Sequence, residues 1–140
     1  MKKFFYTVMV LTLVGAIATL TGCDEEAMRR AYKAAKNTKA EEDEAKDVTR
    51  KFFAALTSGN ATTAKYYLAS NSQFDRSKME EGSQFMAAMG GWDVNVLDAT
   101  VDGDNATVDI VISLYGQEGK KTCKCILVKE ADRWKVYNLD

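Results

Sequence analysis

Histidine is absent from the 140 residues, and so is proline. Without His the chain lacks the side chain that most often serves as general base or metal ligand near neutral pH. Without Pro no cis-prolyl turn can form, and no element is broken by a missing backbone donor. Cysteine is scarce. Cys23, Cys123 and Cys125 are the three present, fewer than the four ligands of a structural zinc site, so no metal and no cofactor is expected. There is no excess of one charge either, with 19 basic against 20 acidic residues. That balance excludes the clustered basic footprint of a nucleic-acid binder. What remains is ordinary for a folded domain: 46% hydrophobic and 28% charged residues in a chain long enough for one core.

The N-terminus reads as a targeting segment. Lys2 and Lys3 precede an uncharged run from Phe4 to Leu20, short for a span of roughly 20 residues. It ends in Leu20-Thr21-Gly22-Cys23, followed by acidic Asp24-Glu25-Glu26. An ordinary secretory leader would end in a small-x-small cleavage site. This order instead resembles the lipobox of bacterial lipoproteins: an aliphatic residue, a small one, Gly or Ala, then Cys. The resemblance implies that residues 1–22 are a signal peptide removed before Cys23, and that the Cys23 sulfur carries diacylglycerol. The mature chain would keep 118 residues, with 17 basic and 20 acidic side chains. Each buried methylene contributes about 0.8 kcal/mol and stable anchoring takes about two chains, so the lipid, not the juxtamembrane charge, would hold the protein to the membrane. The expected location is the bacterial cell envelope, outside the cytoplasmic membrane. Asp24 resembles an inner-membrane retention signal of enterobacteria, and the acidic run resembles a surface-export signal of Bacteroidetes. A plain solvated acidic tether accounts for it equally well.

Residues 23–39 are polar and rich in Ala and Lys, with Met28 and Tyr32 one helical turn apart. They read as a tether, and residues 40–140 as a single domain. Thr38-Lys39-Ala40-Glu41 fits a capping box, so the first core helix is expected to start at Thr38. Val48, Phe52, Ala55 and Leu56 then form one buried stripe. Ser58-Gly59-Asn60 stops that helix, and Asn60 can cap a second with Ala64, Tyr67 and Leu68 inward. Ser77-Lys78-Met79-Glu80 is another capping box, opening a third helix whose Met79, Phe85, Met86 and Met89 can face the core; Gly90-Gly91 ends it.

After Gly91 the period falls from 3.6 to 2. Trp92, Val94 and Val96 alternate with polar residues, as do Ala106, Val108, Ile110, Ile112 and Leu114. Asp102-Gly103 between them is a hairpin signal, and Gln117-Glu118-Gly119 marks a further turn. Lys121–Lys129 reads as a third strand and Arg133–Leu139 as a fourth. Helices first and strands later predict an α+β fold, with N-terminal helices packed on one face of an antiparallel four-stranded meander.

This order of elements, with "VTRKFFAALTSGNATTAKYYL", "VDGDNATVDIVI" and "LVKEADRWKVYNLD", resembles small bacterial lipoproteins of the family called domain of unknown function 4878. That family is similar to the cystatin-like, nuclear transport factor two-like superfamily. The match covers residues 40–140 and runs through Phe52–Gly59, Ala64–Tyr67, Val101–Val108 and Leu127–Val136. It implies a curved sheet wrapped around the helices in a cone, sometimes with a pocket inside. Many members of the wider superfamily bind ligands or partners there, and a few are isomerases or hydrolases.

Catalysis would need an acid or base deep in the cone. The inward-reading strand positions are Val, Ile, Leu, Ala and Trp, and Asp93 and Asp109 fall on the opposite register. No catalytic residue is assigned. Phe52, Tyr67, Phe85, Trp92 and Trp134 are the candidate pocket lining. Cys123 and Cys125 point to one strand face about 6–7 Å apart, near the limit for a disulfide. They read as small core residues, a redox pair being the alternative. Asn60-Ala61-Thr62 and Asn105-Ala106-Thr107 match a glycosylation sequon by chance. The expected function is that of a lipid-anchored, non-catalytic binding domain. Its partners would be the membrane, through the lipid, and either a protein or a small apolar ligand held in the cone.

Overall fold

The structure, a computed structural model, describes residues 25–114 and 118–140. The lipobox, Cys23 and Gln117 lie outside those residues. Two compact units divide at Lys36/Asn37.

Helix α1 runs Glu25–Thr57 as one continuous element. The expected start at Thr38 is therefore wrong: Thr38 lies mid-helix. Residues 25–40 are Ala-, Lys- and Arg-rich, with the highest intrinsic helix propensity. Glu25–Arg29 and Glu26–Arg30 pair across one turn at 3.0 and 2.7 Å, with Glu N-terminal to the cation, the favourable order. With no Gly or Pro between Glu25 and Gly59 to stop propagation, a capping side chain has no helix end to cap. Every side chain from 25 to 40 is exposed. From Ala45 onward one face is buried through Thr49, Phe52, Phe53, Ala55 and Leu56.

Helix α2, Ala61–Tyr66, is capped as expected: the Asn60 side chain accepts from the Thr63 N–H at 3.0 Å. Helix α3, Met79–Met89, is not capped by Ser77. Its N-cap is Lys78, without a side-chain bond, because the Ser77 hydroxyl donates to Asp75 instead. The inward face of α3 also differs from expectation. Met79 and Ser83 are buried and Met86 is partly so, whereas Phe85 is 62% and Met89 46% exposed. Positions 79, 83 and 86 stack on one helical stripe and 85 and 89 lie off it. Ser83 is tolerated in the core because its hydroxyl donates to the Leu56 carbonyl at 3.0 Å.

Strands β1 (Trp92–Asp102), β2 (Asn105–Leu114), β3 (Lys120–Glu130) and β4 (Arg133–Leu139) form one antiparallel meander in sequence order. The β1–β2 register shifts between Val96 and Ala99. This bulge switches the inward set from Trp92, Val94 and Val96 to Ala99 and Val101, and keeps Asp98 in solvent. It also bends the strand. A second irregularity lies where Leu127 pairs with Val136. The inner face carries Val108, Ile110, Cys125, Leu127, Trp134 and Val136, each almost wholly buried with Phe52 and Leu68 in one core. Helices thus pack on one face of a curved four-stranded sheet, as expected.

The β4 edge is covered. The Val136 N–H donates to Tyr67 O at 2.7 Å, Ala69 N–H to Val136 O at 2.8 Å, and Gln73 N–H to Tyr137 O at 2.9 Å. Glu41 on α1 reaches Lys129 on β3 at 2.7 Å, and the same ammonium lies 5.2 Å from the Trp134 ring centroid. Among the described residues, no helix is long and apolar enough to cross a membrane.

Candidate functional site

The last turns of α1 place Arg50, Phe53, Ala54 and Thr57 on one face, three, four and seven residues apart. The first residues of β1 place Trp92 and Val94 on one strand face. Together these six side chains line a half-open hollow of about 140 Å³ between helix and strand. Its walls are apolar from Phe53, Ala54 and Val94. The Thr57 hydroxyl donates to the Phe53 carbonyl at 2.9 Å, so toward the hollow it offers oxygen lone pairs. Arg50 is exposed and makes no ion pair among the described residues. The neighbouring carboxylate Asp47 is held by Lys51 at 2.6 Å. The Trp92 indole Nε1 is buried with no hydrogen-bond acceptor.

Of the anticipated lining, Trp92 stands at this hollow. Phe52 is fully buried, its ring edge-on to Phe53 at 5.2 Å and to Phe74 at 5.6 Å. Trp134 is also inside the core, 1% exposed. Tyr67 is half-buried, packed edge-on to Tyr66 at 5.3 Å. Phe85, an expected wall residue, is on the surface. Arg50, Phe53, Thr57 and Val94 were not anticipated. Phe53 is adjacent to the core stripe, and only the position of β1 shows which edge of that stripe is left open.

Cys123 and Cys125 are both free and buried. Burial pushes the Cys125 thiol up to about 12, and the adjacent Thr49 hydroxyl offsets only part of that. A thiol so placed is neutral at physiological pH and is neither a nucleophile nor a ligand. Glu130 is held below the usual carboxylate range by bonds from the Ser70 hydroxyl and N–H. Asp75 is held low in the same way by Ser77. Both pairs brace loops away from the hollow. No cluster of three acidic, Cys or His side chains that could hold a metal occurs among the described residues.

The architecture is the NTF2-like, cystatin-like α+β fold. A candidate ketosteroid isomerase from Shewanella frigidimarina is similar over 69% of this chain and 92% of its own, with 22% identity and a TM-score of 0.56. A cystatin-like protein of unknown function from Nostoc punctiforme covers 69% and 85%, at 14% identity and a TM-score of 0.54. A candidate NTF2-like transpeptidase from Campylobacter jejuni covers 64% and 94%, at 20% identity and a TM-score of 0.52. At these identities the likeness is one of fold. No protein-family profile and no curated protein matches the sequence.

Proposed function

We propose that this chain is a lipid-anchored lipoprotein of the bacterial cell envelope, with a non-catalytic binding domain like that of the domain of unknown function 4878 family. The observation that carries the anchor is Leu20-Thr21-Gly22-Cys23 behind a basic start and an uncharged run. Metabolic labelling with a palmitate analogue should mark the wild type and leave Cys23→Ala unmarked. Equal labelling of the two, or labelling of neither, rejects the anchor.

A binding rather than catalytic role is supported by the packing of the inner sheet face. Val108, Ile110, Leu127, Trp134 and Val136 fill it. The isomerase and transpeptidase names belong to two proteins of the same fold. Chemistry of that kind would need a proton donor or nucleophile at the hollow, where Arg50 and Thr57 are the polar side chains of α1. Arg50 is a poor proton donor because its guanidinium stays charged, and the Thr57 proton is committed to Phe53 O. The α1–β1 hollow favours a small ligand as the second reading, since it is open, has Phe53, Ala54 and Val94 in its walls and carries the unpaired Arg50 cation.

A further inference from the structure

We infer that the first turns of α1 lie along an anionic bilayer surface, with Met28 and Tyr32 turned into it and Lys33 and Lys36 on the lipid head groups. This inference rests on the proposed anchor at Cys23, which brings the helix to the membrane, and names the helix face that meets the membrane there.

Exposure sets the apolar side. Met28 is 75% and Tyr32 74% exposed. They stand four residues apart, so they share one helix face. Every side chain from 25 to 40 is exposed, so the folded core does not use this face. A seam between paired helices takes three or four heptads of apolar residues, and two large groups followed by Ala35 fall short of that. They suit the edge of a bilayer, where a short apolar stripe settles among the head groups. Tyrosine is favoured at that depth, having an apolar ring and a polar tip.

Charge sets the kind of surface. Residues 25–36 carry four basic and two acidic side chains, whereas residues 37–140 carry 13 and 17. A negative surface therefore attracts the segment next to the anchor and repels the remainder. Lys36 lies four residues beyond Tyr32 and continues its stripe, and Arg29 and Lys33 run beside it. Lys33 and Lys36 make no ion pair among the described residues. Glu25 and Glu26 pair with Arg29 and Arg30, in contacts so exposed that they hold the guanidinium groups weakly. Met28 lies five residues past Cys23, at most about 18 Å of chain, so a lipid on Cys23 keeps this face at the head groups. The lipid supplies attachment, and the helix face sets how the chain lies.

The test is spin-label accessibility on the full chain, processed in a bacterial host and reconstituted in vesicles. One label sits on Ala35→Cys, beside the Met28–Tyr32 stripe, and another on Ala34→Cys, turned away from it. Cys123 and Cys125 are buried, and the unsubstituted chain gives the background. On vesicles of equal parts phosphatidylcholine and phosphatidylglycerol, the ratio of oxygen to aqueous nickel access should be roughly threefold higher at position 35 than at 34. Phosphatidylcholine alone, Lys33→Glu with Lys36→Glu, or salt of about 1 M should each remove most of that difference. Met28→Ser with Tyr32→Ser should abolish it and leave the urea midpoint unchanged. Equal access at 34 and 35 on the anionic vesicles overturns the inference while the anchor stands. So does dipolar broadening of the Ala35→Cys spectrum, which would mean that two helices pair. An unchanged difference on phosphatidylcholine alone overturns the assignment to an anionic surface. If mass spectrometry finds no diacylglycerol on Cys23, the anchor and this inference both fall.

Discussion

Cys125 is the residue whose chemistry the fold changes most. In a flexible peptide its thiol would ionise near the ordinary value of 9.0, but burial in the centre of β3 raises it to about 12. The sign of the linkage follows from the raised value. Below about pH 9 the thiol is neutral in both folded and unfolded chains, and its full contribution to stability is present. Between about 9 and 12 the unfolded chain releases the proton and the folded chain does not. Stability contributed by this group therefore falls as pH rises through that window. A thiol-specific reagent at pH 8 should label native protein slowly at Cys125, and rapidly once urea unfolds it. Rapid labelling of the native chain, located by peptide mapping, would contradict the burial. Cys123 and Cys125 were legible in the sequence as small neighbours on one strand face, and both are buried as that reading expects. The Trp residues were legible as large inward groups. Their different surroundings were not, because packing depends on what faces each from α1.

At the scale of elements, the strands were the most legible part. An alternation of period 2 is enforced by the pleat itself, so Ala106, Val108 and Ile110 could only share a face. The bulge at Val96–Ala99 was not legible, because it arises from the conflict between that alternation and Asp98. The last hairpin was equally silent. Its two turn residues, Ala131 and Asp132, both have positive φ, 47° and 60°, in the loop between Glu130 and Arg133. Two-residue hairpins favour this conformation because it matches strand twist, and Gly or Asn usually signals it. Ala131 gives no such signal. A left-handed conformation costs a non-Gly residue about 1–2 kcal/mol, and the extra unfolded-state freedom of Gly costs about 0.4–1 kcal/mol. Ala131→Gly should therefore stabilise the chain by about 0.5 kcal/mol, read as a higher urea midpoint with an unchanged slope. A lower midpoint would show that the alanine methyl makes a contact worth more than the strain. The helices misled in the opposite way. Thr38 and Ser77 each match a capping pattern, but Thr38 lies mid-helix and the Ser77 hydroxyl is taken by Asp75. On α3, Phe85 is apolar but lies off the stripe of Met79, Ser83 and Met86, and it is exposed.

For the whole molecule, the division at Lys36/Asn37 makes a further prediction. Residues 25–40 are exposed throughout, and the buried core begins at Ala45. A chain starting at Asn37 should fold with a melting temperature within about 2–4 °C of that of a chain starting at Glu25, since removal of exposed side chains moves stability by about 0.5 kcal/mol. A loss of cooperative unfolding would mean that the N-terminal half of α1 supports the domain. The sequence by itself determined the fold class and the order of the elements, because hydrophobic period and turn residues are local properties of the chain. It also raised the proposed anchor, since a lipobox is read as a short linear string. Tertiary structure alone decided which apolar side chains became core and which lined a hollow. Trp92 lies far along the chain from Arg50 and Thr57, and only the packing of β1 against the last turns of α1 brings it to them.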